Sequence, residues 1–220
     1  CTNPGLIVVS GINTDTFVEE LKSEILNGEI SCMVHPNISK NYESQLQHMK
    51  NQGASIHRSN LDANSPAMGV VLAEDILKNA ALLEEVFGPF SLVVICSNNT
   101  ELTAISEALP GQLTATILGT SSELKDNRQL VAAVQQKVGR LLFEGVPTGV
   151  SVTPSMNHGG PFPASTDSRF TSVGTSSIER WLRPICLQDC PHELLPDALK
   201  NENPLNIFRT LNNQLTQSSL

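Results

Sequence analysis

The sequence lacks long apolar runs and clusters of basic residues. Its longest apolar stretches, such as residues 92–96, fall far short of the roughly 20 residues that a membrane-spanning helix needs. No run of Lys or Arg exceeds two residues, and the net charge is −8 at pH 7. These features argue against a membrane span and against binding to nucleic acid or anionic membranes. Apolar residues make up 40% of the chain and charged residues 16%, a composition typical of a soluble globular protein rather than a disordered one.

The chain has five cysteines, an odd number, which favours reduced thiols over a disulfide framework. No basic stretch leads into an apolar one near the N-terminus, so the expected location is cytoplasmic. Soft metal ligands occur in two places, Cys32 with His35 and Cys186 with Cys190 and His192. Their spacing matches no recognised zinc knuckle. We therefore predict structural thiols and no metal.

Apolar β-branched runs alternate with stretches of helical periodicity along the first two thirds of the chain. This alternation with short links predicts an α/β fold with a parallel sheet and right-handed crossovers. Residues 14–27 are expected to form a helix, capped through Thr16 and Glu19 or through Asn13 or Asp15. The remaining expected helices are 41–51, one that follows an Asn98 cap, and one through Leu130, Val131, Val134 and Val138. The expected strands are 5–10, an edge strand at 53–58, 67–73, 90–96, 113–118 and 140–143.

The composition changes after Phe143. Residues 145–163 contain four prolines and four glycines, which a regular helix cannot accommodate. Beyond them only residues 176–182 and 204–211 have helical periodicity. The sequence thus predicts one domain, with an α/β core at 1–145 and a Pro/Gly loop and wrapping tail at 146–220.

Two short strings could carry chemistry. In the first, Glu85-Val-Phe87-Gly-Pro stands directly before a predicted strand and offers a carboxylate, which accepts hydrogen bonds from adjacent hydroxyls, and a flat apolar ring. The simpler interpretation is a solvated Glu beside a core Phe. In the second, Cys1-Thr-Asn-Pro-Gly5 stands before another strand, where a cysteine is either an inert small hydrophobe or a nucleophile.

Together with a third string, these motifs resemble a known family. The third string is His158-Gly-Gly-Pro-Phe-Pro-Ala, followed at a distance by Arg183-Pro-Ile-Cys. In order and spacing, the three are similar to the C-terminal, catalytic half of the aldehyde dehydrogenases. The resemblance covers nearly the whole chain and is closest to the branch of 2-oxoglutarate semialdehyde (2,5-dioxovalerate) and bacterial fatty aldehyde dehydrogenases.

The resemblance implies a role for each motif. Cys1 takes the position of the family nucleophile, a thiolate that attacks the aldehyde carbon. Glu85 takes the position that holds the nicotinamide ribose, and Phe87 the position that packs near the nicotinamide ring. His158 is expected to assist proton transfer or to orient substrate. The implied cofactor is NADP or NAD, the implied partner is an aldehyde substrate, and the full-length protein is expected to be a homodimer or homotetramer.

The sequence also departs from the family pattern. It contains no Gly-rich phosphate loop and no Glu-Leu-Gly-Gly-type motif with a general base. We therefore expect a fragment that lacks the dinucleotide-binding domain and has little activity alone. A substrate carboxylate would need an arginine or a group of donors, and Arg169 is a candidate on chemistry only.

Two other functions fit some of these features. An N-terminal cysteine could use its own α-amine as a base, as in N-terminal-nucleophile amide hydrolases. Those enzymes have stacked antiparallel sheets, whereas residues 90–143 predict a parallel one. A noncatalytic domain that retains the fold is compatible with every pattern above.

Overall fold

A four-stranded sheet forms the centre of the first part of the chain. The computed structural model describes residues 3–29, 32–60, 62–147 and 149–220. The strands β1 (Leu6–Ser10), β2 (Ser55–Arg58), β3 (Ala67–Leu72) and β4 (Phe90–Cys96) lie in the order β1–β4–β3–β2. The first three of that order run parallel and β2 is an antiparallel edge, which confirms the four strands expected here. β4 is almost wholly buried because helices cover a parallel sheet on both faces.

Six α-helices accompany these strands within the described residues. They are α1 (Thr14–Leu26), α2 (Pro36–Asn51), α3 (Ala73–Lys78), α4 (Asn99–Ala108), α5 (Ser121–Asp126) and α6 (Arg128–Gln135). The Asn98 cap is confirmed, since its side chain accepts a hydrogen bond from the Glu101 N–H at 3.0 Å. The Thr16–Glu19 capping box is wrong because α1 already begins at Thr14. No helix in the described ranges is long and apolar enough to cross a membrane.

Helix α2 anchors the main apolar core. It is five residues longer at its N-terminus than the expected 41–51, because Pro36 occupies the first turn and the His35 side chain caps it. Tyr42, Leu46 and Met49 follow one helical stripe and are buried in the core formed with β3, β4 and α3. On the same helix, Glu43 forms a bidentate ion pair with Arg58 of β2, at 2.8 and 3.0 Å. This pair ties the edge strand to α2 and, through the Arg58 hydrogen bond, lowers the pKa of Glu43.

A second parallel sheet follows the first. β5 (Gln112–Thr116) and β6 (Val138–Leu142) pair with each other and form a separate two-stranded sheet. The expectation that the strands of residues 90–143 share one sheet is therefore wrong. The spacing of Val138 placed it in the preceding helix, but α6 ends at Gln135. Val138 opens β6 opposite Gln112, and this long-range pairing overrides the local helical period.

The residues up to Arg180 and the segment Trp181–Leu220 form two separate units. Residues 175–181 form a 3-10 helix where a helix was expected. The second unit contains short 3-10 helices and a hairpin of β7 (Arg209–Leu211) and β8 (Gln214–Thr216), so the helix expected at 204–211 is wrong. Its organising residue is the buried Asn203, which donates to the carbonyls of Ile207 and Gln217. The division of the chain at 145/146 and the wrapping of the tail stay predictions.

Candidate functional site

The segment that carries Cys1 reaches the described part of the chain at Asn3. Cys1 itself lies outside the described residues. The Asn3 side-chain amide donates to the carbonyl oxygen of Phe90, and the Ser91 hydroxyl donates to the carbonyl of Pro4 at 2.7 Å. The Leu92 N–H then donates to Gly5 at 3.0 Å, where the regular β1–β4 ladder begins. Residues 3–5 are thus fastened to the entrance of β4.

The Glu85–Phe87 turn is held at that same entrance by helix α2. The Gln45 side chain donates to the Glu85 carbonyl at 3.1 Å and accepts from the Phe87 N–H at 3.3 Å. Its amide therefore binds the turn backbone on both sides of Val86. Behind the turn, a Cβ at Gly88 would lie 2.5 Å from the Tyr42 ring, so only glycine allows this packing. Helix α2 therefore contacts the turn through both hydrogen bonds and close packing.

Both side chains of the turn that were expected to bind cofactor remain available. Glu85 is exposed, and within the described ranges its carboxylate makes no hydrogen bond or ion pair. The neighbouring Glu84, not Glu85, faces the His48 imidazole at 3.8 Å. The Phe87 ring is 51% exposed. A fixed backbone with a free carboxylate and a free aromatic face suits recognition of a ribose and a flat ring.

The parallel topology brings the first two motifs to one edge of the sheet. β1 and β4 are parallel neighbours, so their amino ends lie side by side. Cys1 stands two residues before Asn3, and Phe87 stands three residues before Phe90, to which Asn3 is bonded. A small cavity of about 180 Å³ opens beside this bond. It is lined by Asn3, Glu24, Ile25, Gly28, Pro66, Pro89, Phe90 and Ser91.

The His158 loop packs on the amino ends of the other sheet. The Asn157 side chain donates to the Gly139 carbonyl at 2.8 Å. A Cβ at Gly139 would lie 2.2 Å from the Gly159 oxygen, and one at Gly111 would lie 2.1 Å from the Pro161 oxygen. The loop therefore presses its backbone directly onto β6 and onto the residue before β5. This close contact requires glycine at both places and fixes the loop.

His158 is half-buried and anchored through its backbone. Its N–H donates to the Thr171 hydroxyl at 2.9 Å, and its carbonyl accepts from the Ser172 N–H and hydroxyl at 3.0 and 2.8 Å. The ring atom Nδ1 is buried and has no hydrogen-bond partner among the described residues. No hydrogen bond or ion pair in the described ranges joins His158 to Glu85 or Phe87. The structure thus links the first two motifs through the bond from Asn3 to Phe90, one residue after the second motif, and the third only through the fold.

The remaining chemical candidates have other partners. Arg169 forms a bidentate pair with Asp167 at 2.9 and 2.6 Å, and this guanidinium lowers the pKa of Asp167 to about 2. Its carboxylate-binding capacity is therefore already engaged. Within the described residues, no group of three or more His, Cys, Asp or Glu side chains is arranged to hold a metal ion.

We expect the described thiols to differ sharply in reactivity. Cys96 is buried in β4, and this burial raises the pKa of its thiol to about 11, whereas Cys32 and Cys186 are exposed. At about pH 8 only roughly 0.1% of Cys96 would be thiolate, the reactive form. Treatment with iodoacetamide followed by peptide mass spectrometry should label Cys32 and Cys186 and leave Cys96 unmodified until urea unfolds the chain. Equal labelling of all three in the native chain would contradict the burial of β4.

Comparison with known proteins identifies the relationship. No family model matches the chain. The chain is 41% identical to an alpha-ketoglutaric semialdehyde dehydrogenase of Acinetobacter baylyi, over 99% of this chain and 43% of that protein. It is 38% identical to alpha-ketoglutaric semialdehyde dehydrogenase 2 of Azospirillum brasilense, over 95% of this chain and 41% of that protein. The chain resembles the aldehyde dehydrogenases in sequence. It spans about two fifths of the length of these relatives.

Solved structures show the aldehyde dehydrogenase fold independently. The crystal structure of an NAD-dependent aldehyde dehydrogenase from Sinorhizobium meliloti superposes with a TM-score of 0.59. The match covers 82% of this chain and 37% of the other, with 16% identity, and so it bears on the fold alone. The expected fold, a parallel-sheet α/β unit of aldehyde dehydrogenase type, is confirmed.

Sequence reasoning missed the two residues that support the turn of this aldehyde dehydrogenase fold. Gln45 and Tyr42 lie some 40 residues before the turn, and nothing in the motif Glu85-Val-Phe87 points to them. A signal was present in α2, where Tyr42 precedes Leu46 by four residues and Met49 by seven. This spacing places Tyr42 on the buried stripe.

Proposed function

We propose that this chain is the catalytic portion of an NAD(P)-dependent aldehyde dehydrogenase that oxidises an aldehyde to a carboxylic acid, with Cys1 as nucleophile. The observation that carries the proposal is the shared entrance of β1 and β4, where Asn3 is bonded to Phe90. It brings the segment of a candidate nucleophile next to a turn that offers a free carboxylate and a free ring. The two semialdehyde dehydrogenases at 38–41% identity support the same reaction class.

Cys1 would take part in both the oxidation of the aldehyde and the hydrolysis of the resulting thioester. Its thiolate attacks the carbonyl carbon of the aldehyde and forms a thiohemiacetal. Bound NAD(P)⁺ supplies the acceptor for the hydride that leaves this carbon, and a thioester on Cys1 results. Water then attacks the thioester carbonyl, which releases the carboxylic acid and returns the thiolate with loss of a proton.

The turn residues fit the cofactor that this reaction needs. Glu85 has a free carboxylate that can accept hydrogen bonds from the two hydroxyls of a ribose, and the half-exposed Phe87 can pack against a nicotinamide ring. The two hydrogen bonds of the Gln45 side chain hold the turn backbone from Glu85 to Phe87 in place. Cofactor binding therefore does not have to order this turn. Whether the cofactor is NAD or NADP depends on groups that bind the far ribose.

His158 would serve the substrate rather than the cofactor. It lies on a loop whose backbone packs against Gly139 of β6 and against Gly111, just before β5, and its Nδ1 is buried without a hydrogen-bond partner among the described residues. An imidazole there could orient substrate or move a proton. The names of both curated relatives favour a semialdehyde acid over a fatty aldehyde as substrate. A cytoplasmic homodimer or homotetramer is the assembly proposed for the full-length enzyme.

A chimera tests the function. The segment of the Acinetobacter baylyi relative that matches this chain is replaced by these 220 residues. The purified chimera is then assayed with alpha-ketoglutaric semialdehyde and either NAD⁺ or NADP⁺, and NAD(P)H is followed by absorbance. We expect steady production by the chimera and little by the 220-residue chain alone, which contains no Gly-rich phosphate loop.

The controls separate the competing functions. A chimera that folds and binds nucleotide but produces no NAD(P)H with any aldehyde would overturn the proposal in favour of a noncatalytic domain. Hydrolysis of amide substrates by the 220-residue chain without cofactor would favour the N-terminal-cysteine hydrolase instead. The rate of NAD(P)H production by the chimera with hexanal, compared with its rate with the semialdehyde, distinguishes fatty aldehydes from semialdehyde acids as the substrate class.

A further inference from the structure

The β1–β4 ladder is extended at its amino end by side chains. Backbone pairing begins at Leu6 opposite Leu92, and the Leu92 N–H reaches back to Gly5. The regular pattern does not continue to Phe90, whose carbonyl accepts from the Asn3 side chain and whose N–H donates to the Gly88 carbonyl. The next two bonds along the same edge come from side chains instead, from Ser91 to the Pro4 carbonyl and from Asn3 to the Phe90 carbonyl.

These two bonds differ from ordinary surface contacts. Ser91 is only 2% exposed, so its hydroxyl needs a partner inside the protein, and the Pro4 carbonyl at 2.7 Å is that partner. The bond to Asn3 fastens a residue that stands two positions after Cys1. Two residues of chain span at most about 7 Å. Cys1 is therefore joined by a short covalent link to a residue that this bond holds beside β4.

We propose that Asn3 and Ser91 are positioning residues, which hold the nucleophile segment at a fixed distance from the cofactor-binding turn. The inference rests on the proposed function. Neither side chain is required to touch substrate or cofactor. Each acts through the backbone to which it is bonded, Ser91 on Pro4 and Asn3 on Phe90. A displacement of about 1 Å between reacting groups can lower a rate by up to about 100-fold, so loss of either bond should appear in turnover.

The experiment compares three serine variants in the chimera. Ser91→Ala removes the hydroxyl, and Ser91→Thr retains it. Ser106→Ala is the matched control, because Ser106 is also buried and donates to a backbone carbonyl, that of Leu102 in α4, away from the turn. We expect Ser91→Ala to lower kcat about tenfold or more while the KM for NAD(P)⁺ stays within about twofold. Ser91→Thr should keep most of the turnover, and Ser106→Ala should leave kcat close to that of the parent.

A second readout does not need catalysis. In the 220-residue chain, the rate of iodoacetamide labelling of Cys1 is divided by that of the exposed Cys32 in the same molecule. Release of the segment should raise this ratio at least about threefold in Ser91→Ala and in Asn3→Ala, and not in Ser106→Ala. Asn3 is exposed, so its variant keeps the test valid if Ser91→Ala fails to fold.

Each outcome decides the question. Equal turnover and equal labelling ratios in Ser91→Ala and Ser106→Ala would overturn the positioning role. A lower melting temperature with unchanged kcat would assign Ser91 a merely structural role and would also overturn it. If the parent chimera is inactive but the labelling ratio rises, positioning stands and the proposed function falls.

Discussion

Replacement of Cys1 by alanine in the chimera is expected to lower NAD(P)H production by about 1,000-fold or more, because the proposed reaction passes through a covalent adduct on this thiol. The chain has four other cysteines. Two exposed ones, Cys32 and Cys186, are the matched controls, and their alanine variants should retain activity. The measurement is initial rate at saturating aldehyde and nucleotide, with nucleotide binding measured separately by fluorescence or calorimetry.

The pattern of losses identifies the nucleophile. Unchanged nucleotide affinity in Cys1→Ala alongside lost turnover places the defect in the chemical step. A Cys1→Ala chimera that keeps more than about a tenth of the parent rate would exclude a covalent role for this thiol. Loss of activity in Cys32→Ala instead would move the nucleophile to a residue that the motif comparison does not indicate.

Replacement of Tyr42 by alanine is expected to lower the free energy of unfolding by about 3–5 kcal/mol. The side chain is completely buried in the main core and packs against Gly88. Its hydroxyl also donates to the carbonyls of Ser65 and Pro89, at 3.0 and 3.2 Å. Urea unfolding of the 220-residue chain, followed by circular dichroism, measures the change. A loss below about 1 kcal/mol would contradict the packing described for α2.

Tyr42→Phe separates the ring from the hydroxyl. It keeps the ring and removes the donor, so a loss of about 1–2 kcal/mol is expected. Burial raises the pKa of Tyr42 from 10.0 to about 12, so the folded chain favours the neutral phenol. This preference stabilises the fold fully below about pH 10 and is lost as the pH rises towards 12. The phenylalanine variant should lack that alkaline loss, and a matching loss in both proteins would assign it to another group.

The central strands could be predicted from sequence because their apolar runs are short, β-branched and bounded by Gly or Pro. β4 lies at the expected residues 90–96, and α4 begins directly after the expected Asn98 cap. The errors lie where pairing between distant residues decides the outcome. Val138 continues the stripe of α6 by spacing alone, yet it pairs with Gln112 in β6. Local periodicity contains no information about such a partner.

The second unit shows a signal that was present but not used. Asn212 and Asn213 lie between β7 and β8 and both have positive φ, at 49° and 66°. Two consecutive residues of this kind favour the tight turn of a two-residue hairpin. The Asn-Asn pair therefore indicates a hairpin more strongly than the helical spacing of the preceding apolar residues indicates a helix. For the site, motif comparison supplied Glu85 and Phe87, while their support from α2 depends on contacts about 40 residues apart.

The two hydrogen bonds of the Gln45 side chain couple the stability of helix α2 to that of the Glu85–Phe87 turn. The Gln45 amide satisfies a donor and an acceptor of the turn at once, so opening of α2 around Gln45 would release both groups of the turn backbone to water. Opening of the helix and loosening of the turn are therefore energetically coupled. By the same reciprocity, any molecule that grips the turn would slow hydrogen exchange along α2, which it never touches. Hydrogen exchange in α2 would thus report whether a molecule is bound at the turn before β4.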